Sequence, residues 1–457
     1  MDTVINNGRV IDPASGIDAR LNVGIESNKI VEVADHPLQG DLEIDATDLV
    51  VSPGFIDLHI HEDPYVEEED RFDVSIFEAL LCMGVTTAIG GNCGIGSSRP
   101  DQYLEAARRL GLPLNLGLLV PHETLRRQTM QIDSYAPAST ESIGKMENLA
   151  DQYLNDGCLG ISFGIRYIPG ITEEEMSRIS RAAKKHNTFI AAHLRDDANQ
   201  VMKAAEEFIR IGEGLRLPVQ LSHIGSMAGF GQMEVFLALM DHWANAGLDI
   251  SADCYPYTAF STFIGAATYD DGFLERYGIT YDAIEIAEGK FQGQRCTEDL
   301  FHRLRREAPR TLTLAHVMNQ EDIDLALQHP RVMIASDGLV NGRQGHPRAA
   351  GTFARVLGEY VRERKILTLN QAIEKMTVLP ARRLGIAKGT LQVGADADIT
   401  IFDPVTIADQ ADFNHPMEPP VGIKGVFVNG RLALWEGDMR LNNAGTAVAL
   451  EPSANID

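Results

Sequence analysis

PGFIDLHIHEDP, residues 53–64, passes from a turn former through an apolar run to two imidazoles, His59 and His61, and then into carboxylates. In a strand, residues i and i+2 project from the same face, so both rings are expected to point inward at the end of one strand. Two imidazoles sharing a strand end suit a metal site. The spacing also suits any exposed strand, so the rest of the chain has to decide.

Seven further apolar runs follow at intervals: GVTTAIGGNC, LNLGLLV, LGISFGI, TFIAAHL, PVQLSHI, LDISADCY and VMIASD. Between them lie segments such as TEEEMSRISRAAKKHN and DANQVMKAAEEFIRIGEG, whose apolar positions recur at helical spacing. Strand and helix in alternation predict an α/β fold with a parallel sheet, and eight such units predict a (β/α)8 TIM-type barrel over residues 53–388. A ninth apolar run, LTLAH at 312–316, breaks the count and is assigned to an insertion at about 263–319 after the seventh strand. Insertions there are tolerated because the loops at that barrel face carry function. Residues 1–52 and 389–457 instead alternate apolar and polar positions around Gly, Asn and Asp turns. Neither end could bury its apolar face alone, so together they are expected to make one small β-sandwich domain.

The 457 residues are 44% hydrophobic and 23% charged, the balance of a folded globular protein. Asp and Glu outnumber Lys and Arg by 65 to 40, for a net charge of -25, which disfavours nucleic acid and anionic membrane surfaces as partners. The opening MDTVINNGRVIDPASG has no basic segment followed by an apolar core, and no apolar run approaches the ~20 residues of a spanning helix. A cytoplasmic location is the expectation. The five cysteines are odd in number and free of CxxC spacing, so reduced thiols are expected.

Other groups of ligand type end the predicted strands: Cys93 in GGNCG, His193 in AAHLRDD, His223 in LSHIG and Asp337 in ASDG. If the barrel forms, all six side chains converge on one rim, and a His/Cys/Asp set favours Zn²⁺. Each also has an ordinary reading. A histidine ending a strand is commonly a hydrogen-bonded structural residue, a lone cysteine a small buried hydrophobe, and Asp before Gly a turn or cap residue.

GFIDLHIHED resembles the metal-binding signature of the amidohydrolase superfamily. GVTTAIGGNCGIG, SFGIRYIPG, AAHLRDD, SADCYPYTAFST and ASDG followed by HPRAAGTFARVLGEYV narrow the resemblance to the D-aminoacylases, or N-acyl-D-amino-acid deacylases. The fourth strand offers none of the lysine that bridges two metals in many relatives. The resemblance implies instead that Cys93, His193 and His223 hold a tight Zn²⁺, with His59, His61 and Asp337 around a second, weaker position. It implies hydrolysis of a small N-acyl-D-amino acid, with Asp337 as general base and acid beside a metal-activated water. Tyr255 in DCYPY and Arg348 in HPRAAGTF match the positions that bind the substrate α-carboxylate, a task for which a planar guanidinium is well suited.

One departure bears on specificity. Many D-aminoacylases continue the sixth-strand motif as SHHK, where the lysine can meet an acidic substrate side chain; Ile224 and Gly225 stand there in this chain. Neutral or apolar side chains are therefore the expected preference. The competing readings are a cyclic-amide hydrolase of the dihydroorotase or hydantoinase type and a catalytically silent scaffold of the same fold. Oligomeric state is not legible.

Overall fold

The computed structural model describes residues 1–448; the last part of the expected terminal domain, residues 449–457, lies outside the described residues. Eight parallel strands make the frame: β1 Phe55–Asp57, β2 Val85–Gly90, β3 Asn115–Leu118 with its continuation Val120–Pro121, β4 Gly160–Gly164, β5 Phe189–His193, β6 Val219–Leu221, β7 Ile250–Cys254 and β8 Val332–Ile334. β1, β2 and β3 pair in that order, and the continuation of β3 begins a run through β4, β5, β6, β7 and β8. The Leu159 amide donates to the Leu118 carbonyl at 2.8 Å and joins the two runs. At the other edge, the His61 amide donates to the Gly338 carbonyl at 2.9 Å, and the Asp337 amide to the His59 carbonyl at 2.8 Å. The extension of the last strand thus lies beside that of the first.

These strands are buried on both faces, which is why they read as continuous apolar runs rather than as alternation. The covering helices carry ordinary end signals. The helix Glu173–Lys185 starts where the Thr172 hydroxyl accepts from the Glu175 amide; acids fill its first turn and Lys184 and Lys185 its last, matching its dipole. Met176, Ile179 and Ala183 form its buried stripe.

Leu312–Ala315 stands apart from the parallel set. It pairs antiparallel with Phe260–Phe263 and with Ile284–Ile286, while β7 pairs directly with β8. This small sheet starts at Phe260, slightly ahead of the insertion boundary expected from the sequence.

Strands from both chain ends join one nine-stranded sheet. The junction is antiparallel, Val50–Pro53 against Ile399–Phe402, with Val51 opposite Ile401. Ile5, Val23, Ile25, Val51, Ile399 and Phe427 are fully buried along it. Beyond this sheet the chain returns to the parallel frame: the Leu112 amide donates to Gly445 and the Leu116 amide to Thr446, at 3.1 and 2.9 Å. Residues 445–447 therefore lie along β3, although the sequence placed them with the terminal β unit.

Candidate metal centre

β1 carries its last ladder residue at Asp57, and the chain stays extended so that His59 and His61 share one side, at the carboxyl ends of the parallel strands. Cys93 arrives on a short loop after β2, His193 ends β5, His223 follows β6 and Asp337 follows β8. Three of these residues, Cys93, His223 and Asp337, have positive φ of 53°, 36° and 50°. Left-handed backbone is costly for residues with a Cβ, and it persists where the surroundings fix a side chain for a task.

The ligand atoms of His59, Cys93, His223 and Asp337 all lie within 4.8 Å of one another. Cys93 Sγ is 3.2 Å from His223 Nε2 and 3.4 Å from His59 Nε2. Asp337 Oδ1 is 3.4 Å from His59 Nε2 and 3.2 Å from His61 Nε2. The His193 ring lies 4.5 Å from that of His223, and both line one cavity. The six side chains singled out in the sequence are brought together.

The other ring nitrogens are held. His59 Nδ1 meets Asp253 Oδ1 at 3.1 Å; the same oxygen accepts the His223 amide at 2.8 Å, and Asp253 Oδ2 accepts from Gln220. The Ser226 hydroxyl donates to the His223 carbonyl and accepts from His223 Nδ1 at 3.0 Å. With Nδ1 occupied on both rings, Nε2 is the atom turned toward the thiol, the usual way a partner fixes a ligating histidine.

Burial opposes ionisation of Cys93, but His223, His59 and His193 hold the thiol well below its ordinary value. Burial likewise opposes the Asp337 carboxylate, and the Arg348 guanidinium with His223 and His59 holds it well below the usual range. His61, despite burial, is raised to about 9 by Asp337 and Cys93, whereas burial and the nearby His223 lower His193 to about 4. Protons on imidazoles balance the thiolate and carboxylate. A divalent cation can take the same place with the rings neutral, and His193 Nδ1 is buried without a hydrogen-bond partner among the described residues. The donor set fits zinc.

This centre lies at the floor of a cavity of about 700 Å³. His61, Cys93, His193, His223 and Asp337 line it together with Tyr255 and Arg348, while His59 lies fully buried. Arg348 Nη1 is 2.8 Å from Asp337 Oδ2, and its guanidinium lies over the Tyr255 ring at 4.6 Å. Met227, Phe260, Phe263, Leu312 and Leu339 supply apolar wall.

Family models described as "Amidohydrolase family" match residues 162–433 and 50–233. The chain belongs to the amidohydrolase family. This amidohydrolase is 33% identical to a D-aminoacylase of Alcaligenes xylosoxydans xylosoxydans, over 98% of the chain and 97% of the relative. It is also 33% identical to an N-acyl-D-glutamate deacylase of the same organism, over 94% and 93%. Among solved structures, a D-aminoacylase superposes with a TM-score of 0.89 at 32% identity, covering 98% of this chain and 99% of that one. An N-acyl-D-glutamate deacylase of Bordetella bronchiseptica, complexed with zinc and a phosphonate mimic of the tetrahedral intermediate, gives 0.86 at 30% identity, over 98% and 99%.

Several other polar residues are held by partners of their own. His122 is buried against Glu175 at 2.9 Å, Arg195 pairs with Glu207, His316 with Glu285, His346 bonds the Ala259 carbonyl, and Tyr257 lies beneath Arg355. Ile224 and Gly225 do not face the cavity as their place in the motif suggested. The chain turns at His223 into the short helix Ile224–Ala228, where Ile224 is fully buried and a Cβ on Gly225 would meet Ile323 and Cys254 at 2.9 and 3.0 Å. Asp253 and Ser226 went unmarked in the sequence, although a carboxylate within the apolar run ISADC was itself a signal.

Proposed function

We propose that this amidohydrolase hydrolyses N-acyl-D-amino acids to a carboxylate and a free D-amino acid, using zinc. The observation that carries the reading is the Cys93 sulfur set between His59 and His223 with Asp337 beside them, at the floor of a cavity that also holds a buried arginine. Relatives named D-aminoacylase, N-acyl-D-glutamate deacylase and N-acyl-D-aspartate deacylase support the substrate class.

Cys93, His193 and His223 would hold the tight ion, and His59, His61 and Asp337 surround the weaker position. Bound there, Zn²⁺ would act as a Lewis acid and lower the pKa of an adjacent water to near neutrality. Asp337 is the carboxylate positioned to take a proton from the attacking water and return it to the leaving amine. Arg348 and Tyr255 clamp the substrate α-carboxylate and so place the acyl carbon beside Asp337. The apolar wall supports a preference for neutral or apolar side chains.

The strand order, the bridge between Ile60 and Gly338 and the alternating helices support a closed (β/α)8 barrel spanning 53–388, interrupted at about 263–319. The sheet shared by both termini supports a separate small β domain of sandwich type. No helix among the described residues is long and apolar enough to cross a membrane. Together with five unbridged cysteines this supports a cytoplasmic enzyme acting on a small molecule.

The test is a screen of N-acyl-D- and N-acyl-L-amino acids, hydantoin and dihydroorotate, with metal content measured on the same sample. Turnover of the D-series alone with bound zinc is expected; turnover of only the cyclic amides would overturn the reading. Asp337→Asn should abolish turnover with metal retained, and unchanged turnover would remove Asp337 from its role.

A further inference from the structure

The loop that presents Cys93 is tied at both ends to a single side chain. Glu62 Oε2 accepts the Gly91 amide at 2.7 Å, and Glu62 Oε1 accepts the Ser97 amide at 2.8 Å. One carboxylate thus spans the two feet of a loop whose crest is Cys93, and Glu62 directly follows His61 in the chain. The surroundings are shaped for it. A Cβ on Gly90 would come within 2.4 Å of Glu62 Oε2, and one on Gly96 within 2.9 Å of Oε1. Any side chain at either position would push against the carboxylate.

The loop needs such a clamp. Gly91, Cys93 and Gly94 all have positive φ, of 75°, 53° and 69°. Only Cys93 has a side chain to make that conformation costly. The other ties run from Asn92 to the Leu58 and Ile89 carbonyls and from the Gly94 amide to Ser162 Oγ in the middle of the loop, and from the Thr124 hydroxyl to the Ser97 carbonyl at one foot; the amides of both feet go to Glu62.

We infer that Glu62 is a positioning residue that couples the His61 segment to the Cys93 loop and sets the sulfur's place among the histidines. The inference rests on the zinc reading of the site. Glu62 lines the cavity beside His61, and its hydrogen bonds go to the backbone that carries Cys93, through which it acts.

Glu62→Gln keeps the size but offers one acceptor where two amides need one each, and turns an NH2 group toward a donor. Zinc release to a chromogenic chelator should quicken by roughly 10–100-fold, the usual cost of losing a residue that orients a metal ligand. In the Co²⁺-substituted protein, the sulfur-to-cobalt charge-transfer band should weaken or shift, a signature that a general loss of stability does not produce in the folded fraction. Glu62→Asp, which keeps the charge but shortens the reach to the two amides, should repeat both effects and covers the case in which Glu62→Gln fails to fold. Wild-type release rates and an unaltered cobalt band in the folded variants would overturn the inference. Wild-type protein that takes up no metal would overturn the zinc reading itself.

Discussion

The Asp253 carboxylate meets His59 Nδ1 at 3.1 Å, and both side chains are shut off from solvent. Because the same oxygen also accepts the His223 amide, one carboxylate orients two imidazoles that face Cys93. Asp253→Asn retains an acceptor but weakens the hold on the His59 N–H. Zinc affinity should fall by roughly 10–100-fold. Competition with a chelator measures this; an unchanged affinity would assign Asp253 to packing alone.

Arg348, proposed to hold the substrate α-carboxylate, contacts Asp337, the proposed proton carrier, at 2.8 Å. Arg348→Met should lower kcat/KM by roughly 10²–10³-fold, the range for truncating one partner of a buried charge pair. Arg348→Lys should restore little, since a point charge does not reproduce the fork. The loss should be much smaller for a substrate whose α-carboxylate is capped as the amide. Equal losses for the acid and its amide would place the carboxylate elsewhere.

Stripping zinc with a chelator should abolish turnover and lower the melting temperature, because a ligand that binds only the folded state stabilises it by mass action. Adding Zn²⁺ back should restore both. Cys93→Ala should show the low melting temperature at the outset and respond weakly to added zinc. A full zinc response in that variant would take the thiolate out of the ligand set.

Positions 224 and 225 point into the core, so the proposed side-chain preference rests on the cavity wall. N-acetyl-D-leucine and N-acetyl-D-methionine should exceed N-acetyl-D-glutamate in kcat/KM by at least about tenfold, the scale of one or two buried methylenes. The opposite order would direct attention to Arg310, which lines the same cavity and lies over the Phe263 ring at 5.5 Å.

Away from the site, Lys375 is buried and its amine bonds the His329 and Val332 carbonyls. Burial lowers its pKa from 10.5 to about 8. The folded state therefore binds this proton less readily than the unfolded chain does. The penalty is full below pH 8 and disappears as pH rises to about 10.5, so stability gains on the order of 3 kcal/mol from this group across that window. Chemical denaturation from pH 7 to 10 should show the rise, and Lys375→Met should flatten it. Parallel pH profiles for the two proteins would contradict this.

The parallel frame was legible because buried strands leave long apolar runs, and the metal groups because they end those runs. Leu312–Ala315 was harder: its apolar pattern is the same whether its partners lie parallel or antiparallel, and only the direct pairing of β7 with β8 excludes it from the frame. The turn of Gly225 away from the cavity and into the core depends on His223 adopting a left-handed backbone that histidine seldom takes, so motif spacing pointed to the wrong side of the helix. Glu62 escaped notice because its partners are backbone amides, which every residue possesses and no motif marks, and Asp253 because its partners His59, Gln220 and His223 come from other strands.

The junction of Val50–Pro53 with Ile399–Phe402 has a consequence for biosynthesis. Val51 waits for Ile401, and the Gly54 amide for the Asp398 carbonyl, before the segment leading to His59 is pinned at its start. At 5–20 residues per second a ribosome needs roughly 15–60 s to pass from Cys93 to Ile401. The nascent chain carries His59, His61 and Cys93 without that pinning throughout the interval, so metal capture belongs to the end of synthesis, and shortening the chain ahead of residue 399 should damage a centre whose first ligand lies more than three hundred positions upstream.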